Sequence, residues 1–295
     1  NDNSKSKLTL ITIIKLLISI VSLIKPSRII TLFMYAISSI KQSWKKALFL
    51  DLLLYEFHKT LMKRKKPDFA VIFLNAGAHI QHHYFYNSPF VTNKNLKNPN
   101  WYLKPDQDPF LDMLYAYDHI LQDIFFNNDK NTEVIIATGL SQKPFNELKF
   151  YYRLSDHKTF LNELKIPFKE VFPRMTRDFL ITFDSDKDAK FSQEILENIY
   201  LDDGIQLFGE IDNRGKDLFV VLTYPNEIKP ETKINILDKK ICLNDLVTFV
   251  AIKNGEHQSK GYAYFSKDIS KFSLDDGDHV SSIFRSVTDY FGIQN

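Results

Sequence analysis

Phe69-Ala70-Val71-Ile72-Phe73-Leu74 runs directly into Asn75-Ala76-Gly77-Ala78-His79-Ile80-Gln81-His82-His83-Tyr84. The first six residues are an unbroken apolar run of strand length, preceded by Pro67. Apolar side chains at successive positions fall on both faces of a strand, the pattern of a strand buried on both sides in a parallel sheet under helices. In open α/β sheets, ligands bind beyond the carboxyl ends of the strands. The polar, histidine-rich segment that follows therefore stands where chemistry is expected.

Working outward, Glu133-Val134-Ile135-Ile136-Ala137 is a second apolar run, preceded by a helical pattern over 110–127. Helix, turn and buried strand in that order predict an α/β fold. Its centre is a mostly parallel sheet with helices on both faces. Towards the N-terminus, 8–25 and 28–41 read as helices separated by Lys25-Pro26-Ser27, with Pro26 ending the first and Ser27 poised to cap the second. A third helix over 43–65 carries Trp44, Leu48, Leu52, Tyr55 and Met62 at helix-face spacings, and Pro67 ends it. The 17-residue apolar stretch Leu8–Ile24 is interrupted by Lys15. A span needs about 20 such residues, so two buried helices are expected and no membrane span. The aromatic and Asn-rich loop 85–109 is long enough to be functional or a homodimer contact.

Residues 145–225 change character. Strands at 179–183, 205–211 and 218–223, a helix at 188–200 and the turn Asn213-Arg214-Gly215 predict a small α+β insert or cap. The expected organisation is 1–144 as N-terminal helices and core segment, 145–225 as the insert, and 226–295 as a return to the core.

The 295 residues are 44% hydrophobic, with 25 Phe and 14 Tyr, enough for a sizeable core. A net charge of +2 carries no polyanion signal, and no nucleic-acid partner is expected. The one cysteine, Cys242, excludes internal disulfides and multi-cysteine metal cages. It fits a cytoplasmic protein, although a cysteine-poor exported one has the same composition. The start Asn-Asp-Asn-Ser, without Met, reads as a fragment or a processed product.

Three of the eight histidines lie between Gly77 and Tyr84. On a helix, His79 and His83 share a face and can grip one ion, whereas His82 points elsewhere. Asn75 precedes His79 by one turn. His257 follows a separate predicted strand, between Gly255 and Gly261. Imidazoles and an amide from two strand ends suit a catalytic-type metal site with an open position for water. Arg174 and Arg177 flank Met175-Thr176 and are candidates for contact with an anionic substrate. Ser141 lacks the glycine pattern of an esterase elbow, and no dinucleotide or P-loop fingerprint occurs.

The order of these segments resembles the alkaline-phosphatase-like superfamily, in its phosphodiesterase and nucleotide-pyrophosphatase-like branch. Asn75-Ala76-Gly77-Ala78-His79 looks like the family's Asp-x-x-x-His metal motif. Gly255-Glu256-His257 through Gly261 looks like its late Gly-x-His motif. Glu133 to Ala137 with Thr138-Gly139-Leu140 looks like the strand before its Ser-Asp-His-Gly motif. The resemblance spans about residues 50–295.

It implies one divalent ion, zinc or manganese, held by His79, His257 and Asn75, with His83 as an extra ligand. His82, His83, Arg174 and Arg177 would contact a small anionic ester or glycan-linked substrate. The chain departs from the family in having Asn75 where an aspartate is expected. It also lacks an Asp-His pair at Thr138-Gly139-Leu140, and no nucleophile is found in residues 1–50. The resemblance therefore implies a divergent metal-dependent hydrolase or transferase of phosphate or sulfate esters. The alternative is a catalytically degenerate relative that binds or supports, as in surface-glycan production. An unrelated α/β transferase for activated sugars is the third reading.

Overall fold

The computed structural model describes residues 9–91, 96–127, 131–174, 176–236 and 239–293. The chain divides into two compact units. One comprises 16–146 and 254–295, and the other 147–253 with the first fifteen residues.

The first unit is built on helices. They are α1 (Leu10–Leu23, which begins just before the unit), α2 (Pro26–Ser38), α3 (Lys45–Lys65), α4 (Ala76–Tyr84) and α5 (Pro109–Asn127). Leu48, Leu52 and Tyr55 on α3, with Trp44 at its N-cap, are buried as their spacing predicts and pack with Ile80 and Tyr84 of α4 and Met113, Ala116 and Ile120 of α5, whereas Met62, expected on the same stripe, is only partly buried. Full burial of each large apolar side chain contributes about 1.5–3 kcal/mol, so this three-helix seam holds the unit. Lys66 ends α3 in the left-handed conformation (φ 46°), and its N–H donates to the Met62 carbonyl at 2.9 Å.

The structure overturns the expected central, mostly parallel sheet. In this unit β1 (Ile135–Thr138) pairs antiparallel with β10 (Tyr262–Phe265), in register Ile135 opposite Phe265. Residues 69–74 form no strand. Ile72 and Leu74 pack against the helical core, while Val71 and Phe73 stay 74% and 76% exposed. Phe69, Ala70, Val71 and Phe73 are all exposed, and only Ile72 and Leu74 are partly buried. A continuous apolar run does not itself supply the second covering layer that a doubly buried strand needs. The two N-terminal helices also differ from expectation. Among described residues α1 buries none and α2 buries only Leu32. No helix among the described residues is long and apolar enough to cross a membrane.

The second unit is α+β. A four-stranded antiparallel sheet has the order β3-β4-β6-β5, from β3 (Glu170–Pro173), β4 (Asp178–Thr182), β5 (Asp212–Asn213) and β6 (Asp217–Val221). Phe179 and Ile181 of β4 lie opposite Val220 and Leu218 of β6, and all four are buried. They face α6 (His157–Glu163) and α7 (Asp186–Glu197), which contribute Phe160, Leu161 and Leu196. Asp156 caps α6 by accepting the Thr159 N–H, and Ser185 caps α7 by accepting the Asp188 N–H. Gly215, at φ 80°, turns β5 into β6.

A second hairpin, β7 (Lys233–Ile236) with β8 (Lys239–Cys242), belongs to the same unit, which thus runs past the expected limit at 225. A single turn, α8 (Leu243–Leu246), follows. Residues 205–211, read as a strand, make only isolated bridges, Tyr200 with Gln206 and Phe208 with Leu222. The paired strands β2 (Ser141–Leu154) and β9 (Val247–Gln258) carry the chain from one unit into the other. The last helix, α9 (Ile283–Tyr290), closes the first unit's sequence.

Candidate active site

Helix α4 bears the three clustered histidines, and its start is fixed by a residue from another helix. Asn75 occupies the N-cap position but makes no side-chain cap. The carboxylate of Asp51, on α3 and 7% exposed, accepts the Asn75 N–H at 3.2 Å and the Ala76 N–H at 2.8 Å. The Tyr117 hydroxyl donates to the same carboxylate at 2.8 Å and accepts the Gly77 N–H at 2.9 Å. Three orphan donors of the first turn are thereby satisfied, and a negative charge sits at the positive end of the helix. Burial, then the Asp51 charge, raises the Tyr117 pKa, so the phenol stays protonated and able to donate. A Cβ on Gly77 would lie 3.1 Å from the Tyr117 ring, so a small residue is needed here.

At the other end of α4, the His82 Nε2 lies 2.8 Å from the Nε2 of His257, on β9. The ring centroids are 4.7 Å apart. The His82 Nδ1 lies 3.4 Å from the Gly255 carbonyl oxygen. If Nδ1 carries the proton and donates there, Nε2 keeps its lone pair and the His257 Nε2–H is the donor in the pair. His79 stacks edge-on against His83, with centroids 4.9 Å apart, and the His83 ring is 6.0 Å from that of His82. Burial, then the neighbouring His82 charge, lowers the His79 pKa, although much of its surface still meets solvent. The cluster thus sets the His79 imidazole, favoured in its neutral form, beside the His82–His257 pair.

Backbone packing sets this meeting. A Cβ on Gly255 would lie 2.6 Å from the Gln81 carbonyl oxygen and 2.7 Å from the Gln142 Oε1. Only glycine lets β9 approach the last turn of α4 so closely. Gln142 donates its side-chain N–H to the Ala78 carbonyl at 3.1 Å, tying β2 to the same helix. Next to His257, Glu256 pairs with Lys143 at 2.9 Å.

The sequence-derived site is rearranged accordingly. The partner of His257 is His82, the histidine expected to point elsewhere, while the ring neighbours of His79 are His83 and Tyr84. Asn75 stands at the opposite end of α4 from His82, about 10 Å along the helix axis at ~1.5 Å per residue. Arg174 and Arg177 belong to the other unit and serve its own structure. The Arg177 guanidinium lies 3.9 Å from the Tyr151 ring centre and donates to the Leu222 carbonyl at 3.2 Å, and the Arg174 N–H closes a turn onto the Asp178 carbonyl.

A resident metal fits this donor set poorly. A catalytic zinc takes three protein ligands, and two tetrahedral nitrogens at ~2.0–2.1 Å from one ion are about 3.3 Å apart. His82 and His257 supply two donors at hydrogen-bonding distance. Among the described residues no group of three His, Cys, Asp or Glu side chains is placed to hold an ion.

Asp51, Tyr117, Gln142 and Lys143 escape sequence reading, because each acts on backbone or side chains far away in the chain. No protein-family profile matches the chain, and neither a curated protein nor a solved structure matches it.

Proposed function

We propose that the chain is a hydrolase or transferase of phosphate or sulfate esters whose acid–base centre is the His82–His257 pair. The observation that carries this reading is the Nε2-to-Nε2 approach of 2.8 Å between imidazoles 175 residues apart. With one extra proton on the pair, one imidazole is a neutral base and the other a charged acid, side by side. When the rings part to admit an ester in place of their hydrogen bond, the neutral imidazole accepts the proton of the attacking water or alcohol. The imidazolium protonates the leaving oxygen, and the pair again holds one proton at the end. The imidazolium supplies positive charge for the equatorial oxygens of the transferred group.

The exposure of His257 favours a second reading. Reaction centres exclude water, and an open imidazole pair also suits an anion-binding protein without turnover, as in surface-glycan production.

The test is turnover of aryl phosphates, aryl phosphodiesters and aryl sulfates by the full chain, with and without a chelator. The acid–base reading expects chelator-insensitive turnover, lowered about 10²–10⁴-fold in kcat/KM by His82→Gln or His257→Gln. Turnover unchanged in both variants rejects it. Binding of such anions without any turnover, lost in both variants, selects the second reading.

A further inference from the structure

Helix α2 turns an apolar stripe to solvent. Ile30, Phe33, Met34 and Ile37 recur at three-, four- and seven-residue spacings and are all exposed, Phe33 at 63%. Ile40, just past the helix, is 82% exposed. The opposite side of α2 is occupied, since Leu32 is buried in the helical core. The preceding helix exposes Leu17 and Val21 as well. Exposed apolar ridges of this extent mark contact with a lipid surface or another protein.

Charge decides between them. From Leu10 to Leu50 the sequence holds six basic residues and no acidic one. Lys25 before α2, and Lys41 and Lys46 after it, are exposed at the two ends of the stripe. Between Ile29 and Ile40 there is no charged or amide side chain. A second copy docking on this face would bring two sets of lysines together, which opposes association. An anionic bilayer meets both features at once, since acyl chains receive the ridge and headgroups receive the lysines.

We propose that α2 is an interfacial anchor. It lies in the plane of an anionic phospholipid surface, with Phe33 and Met34 in the acyl boundary and Lys25, Lys41 and Lys46 among the headgroups. The inner face of the helix stays packed on the protein, so the chain lies on the membrane without crossing it. This inference is independent of the histidine pair.

The test is flotation of the full chain with phosphatidylcholine vesicles, with and without phosphatidylserine. Binding is expected to the mixed vesicles, to weaken at about 0.5 M salt, and to fall about five-fold for each of Lys41→Gln and Lys46→Gln. Phe33→Asp, at an exposed position, should weaken binding tenfold or more while urea unfolding stays unchanged. The proposal is overturned if mixed vesicles do not bind the chain, or if Phe33→Asp binds as well as the parent. It is equally overturned if the stripe instead drives a dimer, seen by sedimentation and abolished by Phe33→Asp, without vesicle binding.

Discussion

Asn98 and Asn254 exchange two amide hydrogen bonds, each 2.9 Å long, in the interior of the first unit. The Asn254 carbonyl oxygen also accepts the Tyr86 N–H at 2.9 Å, and the residue is wholly buried. The loop after α4 is thus clamped to the strand end that bears His257, three residues on. Asn254→Ala removes both Asn98–Asn254 bonds, leaving Asn98 only its bonds to the Asn87 Oδ1, and takes the side-chain acceptor from the Tyr86 N–H. A loss of about 2–4 kcal/mol is expected, measured by urea unfolding. A loss under about 0.5 kcal/mol would show that water replaces the amide without cost.

Asp51 makes a second long-range connection. Asp51→Ala leaves two α4 N–H groups and the Tyr117 hydroxyl without their acceptor, and about 2–3 kcal/mol should be lost. Tyr117→Phe removes one link and should cost about 1 kcal/mol. In a double-mutant cycle the pair should couple by more than about 0.5 kcal/mol. Additive effects would mean that the two residues cap α4 independently.

Gly255→Ala tests whether close backbone approach is what brings the two imidazoles together. The new methyl group meets the Gln81 carbonyl oxygen at 2.6 Å, a backbone atom that cannot swing aside. The strand must therefore move from α4, and the His82–His257 hydrogen bond lengthens. The expected signature is altered chemical shifts of the His257 ring nuclei in NMR spectra, together with lower stability by about 1–3 kcal/mol. Unchanged ring shifts would detach the pair from this packing.

The α3 face is legible in the sequence, because a helix packed on one side writes its burial as a repeat. Trp44, Leu48, Leu52 and Tyr55 are found where the repeat puts them. The 69–74 run is misleading for the opposite reason. Six apolar residues in succession do not say which of them will be covered, and here Phe73 stays in water while Leu74 is packed. Spacing also shows that His79 and His83 share a face of α4, yet not which face meets β9. That depends on Gly255 against Gln81, a contact across 174 positions. Asp51 is invisible in the sequence because a cap is sought beside the helix it serves, and this one comes from another helix.

The pH dependence of stability follows from groups that the fold keeps uncharged or ionised. His58 is lowered in pKa by burial, and His119 by burial and then by the Arg28 charge. Arg28 donates to the His119 Nε2, which requires that nitrogen to be unprotonated. A histidine whose folded pKa lies below its unfolded value of about 6.5 stabilises fully above that pH, and the contribution is lost as pH falls through the folded value. Burial alone would raise Asp123, but hydrogen bonds from Lys59, Asn127 and Tyr55 more than offset it, so its pKa lies below normal. Its contribution is present above about pH 3.9 and disappears as pH falls through its lower folded value. Two steps are therefore expected in urea unfolding. Stability is level from pH 8 to 7 and falls towards pH 5. It falls again below about pH 4 as Asp123 protonates. His119→Asn should shrink the first step and leave the second. A first step of undiminished size in that variant would assign the neutral-pH loss to other groups.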